Sequence, residues 1–297
     1  VKKNKKILFI INPISGIGKQ HKVEQGISLY LDKNKYEHEI RYTEKVNHAK
    51  DISAQAVEEN FDVVVAVGGD GTLGEVASGI LFTNTAMAVI PAGSGNGMAR
   101  ELGVPLKSIK KAFDVINQGH TEIIDTALLN GNTFVSTAGS GFDAHVANMF
   151  SVGEKRGFLR YALITLREFL RYPSRNYEVH VNGEIRKYYA WAFIFCNSKQ
   201  FGNGAIVSPK SNVQDGLLNI TIIKDFPKIF TIFLVLRLFF NNIDKSKYAE
   251  VFTCTKIKVI REKNNAIHLD GSPFKTTKDI EVEIVPSSLK VLGNPMK

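Results

Sequence analysis

Two cysteines, Cys196 and Cys254, are all that 297 residues contain. They make no disulfide framework, so a reducing compartment is the expected setting, and each lies in an apolar run as a small core residue. The seven histidines, His21, His38, His48, His120, His145, His180 and His268, form no metal-spaced pair, which argues against a zinc site. Long hydrophobic runs are also missing. The longest, 226–240, is interrupted by Pro227, Lys228, Thr231 and Arg237 and is shorter than the roughly 20 residues of a spanning helix. Lys2, Lys3, Lys5 and Lys6 ahead of 7–11 imitate a secretory signal, but the apolar run is short and stops at Asn12-Pro13, so a first strand is expected there. No internal repeat or low-complexity linker is visible.

Acidic side chains are in deficit: 29 against 38 basic ones, a net charge of +9 and a pI near 9.3. That balance favours anionic partners, whether nucleotides, nucleic acid or an anionic membrane surface. No aromatic-basic motif supports nucleic acid, which is not expected as a partner. With 44% hydrophobic and 23% charged residues, the chain has ordinary globular composition and length for two domains.

The most informative stretch is 63–75, Val-Val-Val-Ala-Val-Gly-Gly-Asp-Gly-Thr-Leu-Gly-Glu. An apolar β-branched run without alternation is expected to form a strand buried on both faces, as in a parallel sheet. Gly68, Gly69 and Gly71 surround Asp70, and Thr72 is the expected cap of a helix beginning near Leu73. Glycines and a helix start after a parallel strand make an anion site. Asp70 would repel a bare phosphate, so it suits Mg²⁺ binding or acceptance of a hydroxyl proton.

Around this stretch strands alternate with helices. Strands are expected at 7–11, 38–43 and 86–90, and helices at 20–31, 47–59, 73–81, 98–102 and 107–117. The loops Asn12-Pro13-Ile14-Ser15-Gly16 and Gly93-Ser94-Gly95-Asn96 follow strands, as the Gly68–Thr72 loop does. All three should gather at the carboxyl edge of a parallel sheet, where ligands bind. The first is not a P-loop, because Gly-Lys-Ser/Thr is missing.

From 122 onward short strands dominate. Asn130-Gly131 and Asn182-Gly183 signal hairpins, with further strands at 188–196, 217–223, 256–260 and 280–285. Only two helices are expected here, 158–171 and 226–241. The resulting fold is α/β plus β: an N-terminal parallel-sheet α/β nucleotide-binding domain, 1–124, then an antiparallel β-sandwich, 125–286, with 287–297 a candidate to rejoin the first domain. Arg160, Arg167 and Arg171, with Arg156 before them, form either a solvated face or a patch for anionic head groups. The stretch 226–240, with its phenylalanines, Lys228 and Arg237, either meets a membrane boundary or packs on the sandwich.

The set Asn12-Pro13-Ile14-Ser15-Gly16, Gly68-Gly69-Asp70-Gly71-Thr72 with Glu75, and Gly93-Ser94-Gly95-Asn96 resembles the diacylglycerol kinase catalytic family, which includes bacterial lipid kinases and sphingosine kinases. The likeness continues through Gly141-Phe142-Asp143-Ala144, Ser208-Pro209, Asp215-Gly216-Leu217-Leu218 and Asp270-Gly271, in the family's order. It implies an ATP- and Mg²⁺-dependent lipid kinase with its active site in the cleft between the domains, phosphorylating a diacylglycerol- or sphingosine-like hydroxyl. It further implies nucleotide contacts from Asn12, Pro13, Ser15, Gly16, Thr43, Gly69, Asp70, Gly71, Thr72, Glu75, Gly93, Ser94, Gly95 and Asn96. Asp143 is implied in lipid recognition, and Asn212, Asp215 and Leu217 in a structural Mg²⁺ site.

Three positions depart from the family pattern: Gly74 stands for Asn, Val135-Ser136-Thr137 lacks the usual Asn, and Ser272 replaces the acid after Asp-Gly. The catalytic candidates that remain are Asp70 and Asp270. The expected protein is cytoplasmic and peripheral at the inner membrane face, with a lipid substrate at an anionic surface as partner; a homodimer is admitted. Alternative readings are a soluble kinase of the NAD-kinase or phosphofructokinase type, and a catalytically weak nucleotide-binding regulator.

Overall fold

Residues 7–11 and 63–67 are buried throughout, as strands covered on both faces must be. A computed structural model describes residues 4–16, 19–151, 165, 167–169 and 171–295. The chain divides into two units, Val1–Asp125 with Pro286–Lys297, and Thr126–Val285.

Unit 1 is a parallel α/β sheet. Its elements are β1 (Lys5–Ile11), α1 (Lys19–Tyr30), β2 (Tyr36–Tyr42), α2 (His48–Glu58), β3 (Val63–Gly68), α3 (Asp70–Ile80), β4 (Ala86–Pro91), α4 (Gly97–Glu101) and α5 (Ile109–Gln118). Strand order is β4-β3-β1-β2, all parallel, and Val291 on the last strand of the chain extends the sheet by pairing with Met87 on β4. The connection from β1 runs outward to β2, whereas the one from β3 runs the other way to β4. The switch point therefore lies between β1 and β3, where two of the glycine-bearing loops begin. Right-handed crossovers put α1 on one face and α2 and α3 on the other; α1 packs on α5, and α2 on α3.

One expectation for this unit is corrected. The helix after β3 begins at Asp70, not near Leu73, and its N-cap is Gly69, which has no side chain to cap with. Thr72 lies inside the first turn, where its hydroxyl accepts a hydrogen bond from the Asn12 side-chain amide at 3.0 Å. A partner 60 residues away recruits the hydroxyl that local patterning assigns to the helix start.

Unit 2 is an antiparallel β-sandwich. It takes in the second part of β5 (Thr121–Leu129), then β6 (Asn132–Phe134), β7 (Thr137–Gly141), α6 (Phe142–Ser151), β8 (Arg175–Val181), β9 (Glu184–Cys196), β10 (Leu218–Lys224), α7 (Thr231–Phe239), β11 (Ala249–Cys254), β12 (Lys256–Arg261), β13 (Ile267–Leu269), β14 (Ser272–Phe274) and the first part of β15 (Asp279–Leu292). The long strand β9 pairs with β8 through its first half, with β7 through its second, and with β10 along its other edge. Asn130-Gly131 and Asn182-Gly183 close hairpins with both residues of each pair at positive φ.

One core of unit 2 includes Phe134, Phe193, Phe195, Ile220 and Ile257; a second gathers Phe142, Phe169, Trp191 and Phe226. Helix α6 was not expected. Gly141, at φ +135, turns the chain from β7 directly into it, so no polar loop announces the change. The expected helix at 158–171 lies outside the described residues except at 165, 167–169 and 171, as do Arg156 and Arg160. The expected helix at 226–241 is a 3₁₀ turn, Lys228–Phe230, followed by α7.

Candidate active site

In unit 1 the three strand-end loops meet through their main chains. The amides of Ala92 and Gly93 donate to the Gly68 carbonyl at 2.8 and 3.1 Å. A Cβ on Gly93 would lie 2.5 Å from the Gly69 Cα, closer than side chains ever come to backbone. Glycine at 93 is thus required by the approach of one loop to the other, while a Cβ on Gly69 would meet the Gly93 Cα at a tight 3.3 Å. Asn12 ties the first loop to the second through Thr72, and its side-chain oxygen accepts the Ile14 amide at 3.2 Å. Ser15 donates its amide to the Asn12 carbonyl at 3.1 Å, and Gly16 turns at φ +68. Asn96, at φ 54, donates its side-chain amide to the Gly93 carbonyl at 2.7 Å. Pro13 and Ser94 are exposed, while Gly71 and Gly95 are half-buried. The result is a rim of amides with little side chain in front of it, suited to an anion.

Asp70 sits within this rim. Its Oδ1 accepts the Met98 amide at 3.1 Å, so the carboxylate joins the β3–α3 loop to the start of α4. Desolvation raises its pKa above the ordinary carboxylate range, against the amides of Gly97, Met98 and Asn96, which favour the charged form. Thr43 and Glu75 stand apart from the rim's main-chain contacts. The Thr43 amide donates to the Ile11 carbonyl at 2.9 Å, and Glu75 Oε2 accepts the Ala49 amide at 3.1 Å in the first turn of α2.

In unit 2, Asp270 and Gly271 form the turn of the β13–β14 hairpin, at φ 48 and 75. Both Asp270 oxygens are taken by main-chain amides: Oδ1 by Ser136 and Thr137 at 2.8 and 3.1 Å, Oδ2 by Val135 at 2.9 Å. Through these contacts Asp270 organises the 135–137 turn. Ser272 is exposed on β14. Asp143, in the first turn of α6, is bonded through Oδ2 to His268 Nε2 at 2.9 Å, and its Oδ1 is buried without a partner among the described residues. His268 is a residue the sequence did not point to; its sole signal is adjacency to Asp270-Gly271.

The loop of Asn212, Asp215 and Leu217 holds itself together. Asp215 Oδ1 accepts the Leu217 amide at 2.9 Å, and Asn212 Oδ1 accepts the Gln214 amide at 3.1 Å. Asp215 is exposed. Among the described residues no three His, Cys, Asp or Glu side chains cluster as a metal site. A carboxylate, an amide oxygen and main-chain carbonyls are hard donors that fit Mg²⁺ completed by water, and do not fit zinc.

The family model described as the diacylglycerol kinase catalytic domain matches 6–129, and that of the YegS C-terminal NAD kinase beta sandwich-like domain matches 136–293. A diacylglycerol kinase of Mycobacterium tuberculosis is 29% identical over 299 residues, covering 97% of this chain and 94% of that one. A diacylglycerol kinase of Bacillus subtilis is 28% identical over 228 residues, 74% of each chain. Among solved structures, a diacylglycerol kinase from Bacillus anthracis str. Sterne superposes with a TM-score of 0.74 at 20% identity, covering 99% of both chains. An NAD kinase from Archaeoglobus fulgidus in complex with ATP gives 0.53 at 14% identity, over 97% of this chain and 94% of that one. At these identities the two structures speak to the fold.

Proposed function

Because this chain belongs to the diacylglycerol kinase family, built from that catalytic domain and that sandwich domain, we propose that it transfers the γ-phosphate of ATP to the hydroxyl of a neutral lipid at a membrane surface. The observation that carries this reading is the meeting of three strand-end loops at the switch point of unit 1, with Gly69 and Gly93 in main-chain contact. That rim leaves amides available to phosphate oxygens. The ATP complex of the NAD kinase of like fold supports a nucleotide there.

Phosphoryl transfer asks the protein for positioning and charge stabilisation more than for covalent chemistry. The amides after β1, β3 and β4 hold the phosphates, and Asn12 and Thr72 fix the loops against one another. Asp70, its pKa raised by burial, is suited to take the hydroxyl proton. Magnesium, when bound, would be held by Asp215 with Asn212 and Leu217 oxygens in unit 2, and nearer the nucleotide by Asp70; it would neutralise charge on the polyphosphate. Asp143 in unit 2 is the acid for the lipid head group.

The membrane setting is supported by α7 and the 3₁₀ turn before it. Ile229, Phe230, Ile232, Phe233, Leu236, Phe239 and Phe240 are 37–79% exposed and fall at helical spacing on one stripe. Phe226 and Leu234 are buried in the aromatic core beneath, so the stretch packs on the sandwich and also presents an apolar face. Lys228 turns inward, its ammonium 4.8–5.7 Å from the rings of Phe226, Trp191 and Phe169. The exposed Lys247 lies beside the stripe, its ammonium 5.8 Å from the centre of the Phe230 ring, suited to anionic head groups. Among the described residues no helix is long and apolar enough to cross a membrane, so this contact would be peripheral.

The test is incubation with labelled ATP and a panel of diacylglycerol, sphingoid base, NAD and sugar phosphates. Label in a hydroxyl lipid is expected. Label in NAD or a sugar phosphate alone would overturn the lipid reading in favour of a soluble-substrate kinase.

A further inference from the structure

His268 is held at both ring nitrogens. The Gly271 amide donates to Nδ1 at 3.2 Å, so Nδ1 carries a lone pair and the ring proton resides on Nε2. That proton points at Asp143 Oδ2, 2.9 Å away. The imidazole is 3% exposed and the Asp143 side chain 12%. The room for this pair is made across the strands. His268 on β13 lies opposite Gly139 on β7, and a Cβ at 139 would fall 1.7 Å from Asp143 Oδ2 and 2.8 Å from His268 Nε2. Phe201 meets the imidazole edge-on at 6.2 Å between centroids. The other carboxylate oxygen, Asp143 Oδ1, is buried with no hydrogen-bond partner among the described residues. A buried acceptor without a donor is rare and costly, and it marks a place where a donor arrives.

We infer that His268 is the positioning residue of the acceptor side: by holding Asp143 Oδ2 it leaves Oδ1 alone to receive a hydrogen-bond donor from the lipid head group. The inference rests on the lipid-kinase reading and deepens it. An acceptor-only oxygen selects head groups that offer a hydroxyl or an ammonium, and it rejects lipids that carry a phosphate at that point. Asp270, by contrast, already accepts main-chain amides at both of its oxygens.

Two side chains separate this role from a purely structural one. In His268→Asn the amide oxygen can still accept the Gly271 amide, but nothing reaches Asp143. In His268→Gln the terminal amide reaches the Nε2 position and can donate to Asp143, while the Gly271 contact is lost. The expected result is a KM for lipid raised about tenfold in the Asn variant with KM for ATP unchanged, and restored to within about twofold in the Gln variant. A wild-type lipid KM in the Asn variant, or equal losses in both, overturns the inference. A readout independent of activity accompanies the kinetics. In ¹⁵N-histidine-labelled protein the His268 ring should carry its proton on Nε2 alone, and Asp143→Asn should shift that resonance. A proton on Nδ1, alone or with Nε2, overturns the inference. Should the wild type phosphorylate no lipid in the panel, the kinase reading falls while the ring spectrum still decides the His268–Asp143 pair.

Discussion

In unit 1 the candidate binding atoms are main-chain amides, and the residues that expose them are glycines with near neighbours in sequence. In unit 2 the acids Asp143 and Asp270 present side-chain atoms, and both are oriented by residues far along the chain: Asp143 by His268, 125 positions away, and Asp270 by the amides at 135–137. The first kind of site is a property of local geometry, and any strand–glycine–helix corner approaches it. The second exists only once the sandwich has formed. Substitutions in unit 1 should therefore separate activity from stability, and substitutions in unit 2 should tend to move both.

The largest expected effect tests the first half of that contrast. Asp70→Asn keeps an oxygen for the Met98 amide and removes the charge, so turnover should fall by a hundredfold or more, on the order expected for loss of a catalytic acid–base group. Stability should move the other way. Burial raises the Asp70 pKa, so its contribution to stability is fully present below the unfolded-state pKa and is lost as pH rises through the folded one. Above the folded-state pKa the ionised carboxylate is a net cost that asparagine removes. Melting curves should show a higher Tm for the variant at pH 7, with the gain closing below about pH 4. A variant that unfolds would break the contrast at its strongest point.

Next comes Asp270→Asn, which turns one acceptor oxygen into a donor facing main-chain amides. Unfolding titrations should show a loss of about 2–3 kcal/mol, with the kcat of the remaining folded protein reduced by less than in Asp70→Asn. A rate loss without a stability loss would keep Asp270 among the catalytic candidates.

A smaller effect is expected at the apolar stripe. Phe233→Glu or Phe240→Glu should weaken binding to anionic vesicles about tenfold, from the lost burial of one aromatic side chain, and leave Tm unchanged. Co-sedimentation at low and high salt measures it; binding indifferent to both the substitution and salt would remove α7 from the membrane proposal. The smallest effect belongs to Ser272→Ala, within about 0.5 kcal/mol of wild type in stability and equal to it in rate.

The same contrast explains what could be read in advance. The β-branched run at 63–67 and the glycine clusters announced a parallel sheet and the loops at its carboxyl edge, because burial on both faces and tight turns constrain residues next to one another. Asn130-Gly131 and Asn182-Gly183 announced their hairpins for the same reason. The resemblance to lipid kinases rested on these local motifs and was legible from the start. Thr72 was misread because its partner, Asn12, lies on another strand's loop. Helix α6 was missed because β7 passes into it at Gly141 with no polar break. His268 was invisible, since nothing in Ile267-His268-Leu269 states that a glycine on β7 opens space opposite it. The direction in which α7 faces was equally hidden: a stretch apolar on most sides does not declare which phenylalanines will find the core.

The contact between Gly69 and Gly93 has a consequence for how such a chain can vary. The loop of Gly93 cannot accept a side chain there while the loop of Gly69 keeps its path, so the two vary as one part. A library randomising position 93 around a fixed β3–α3 loop should return glycine and little else. Grafting a single loop from a distant relative should fail where transplanting the pair succeeds.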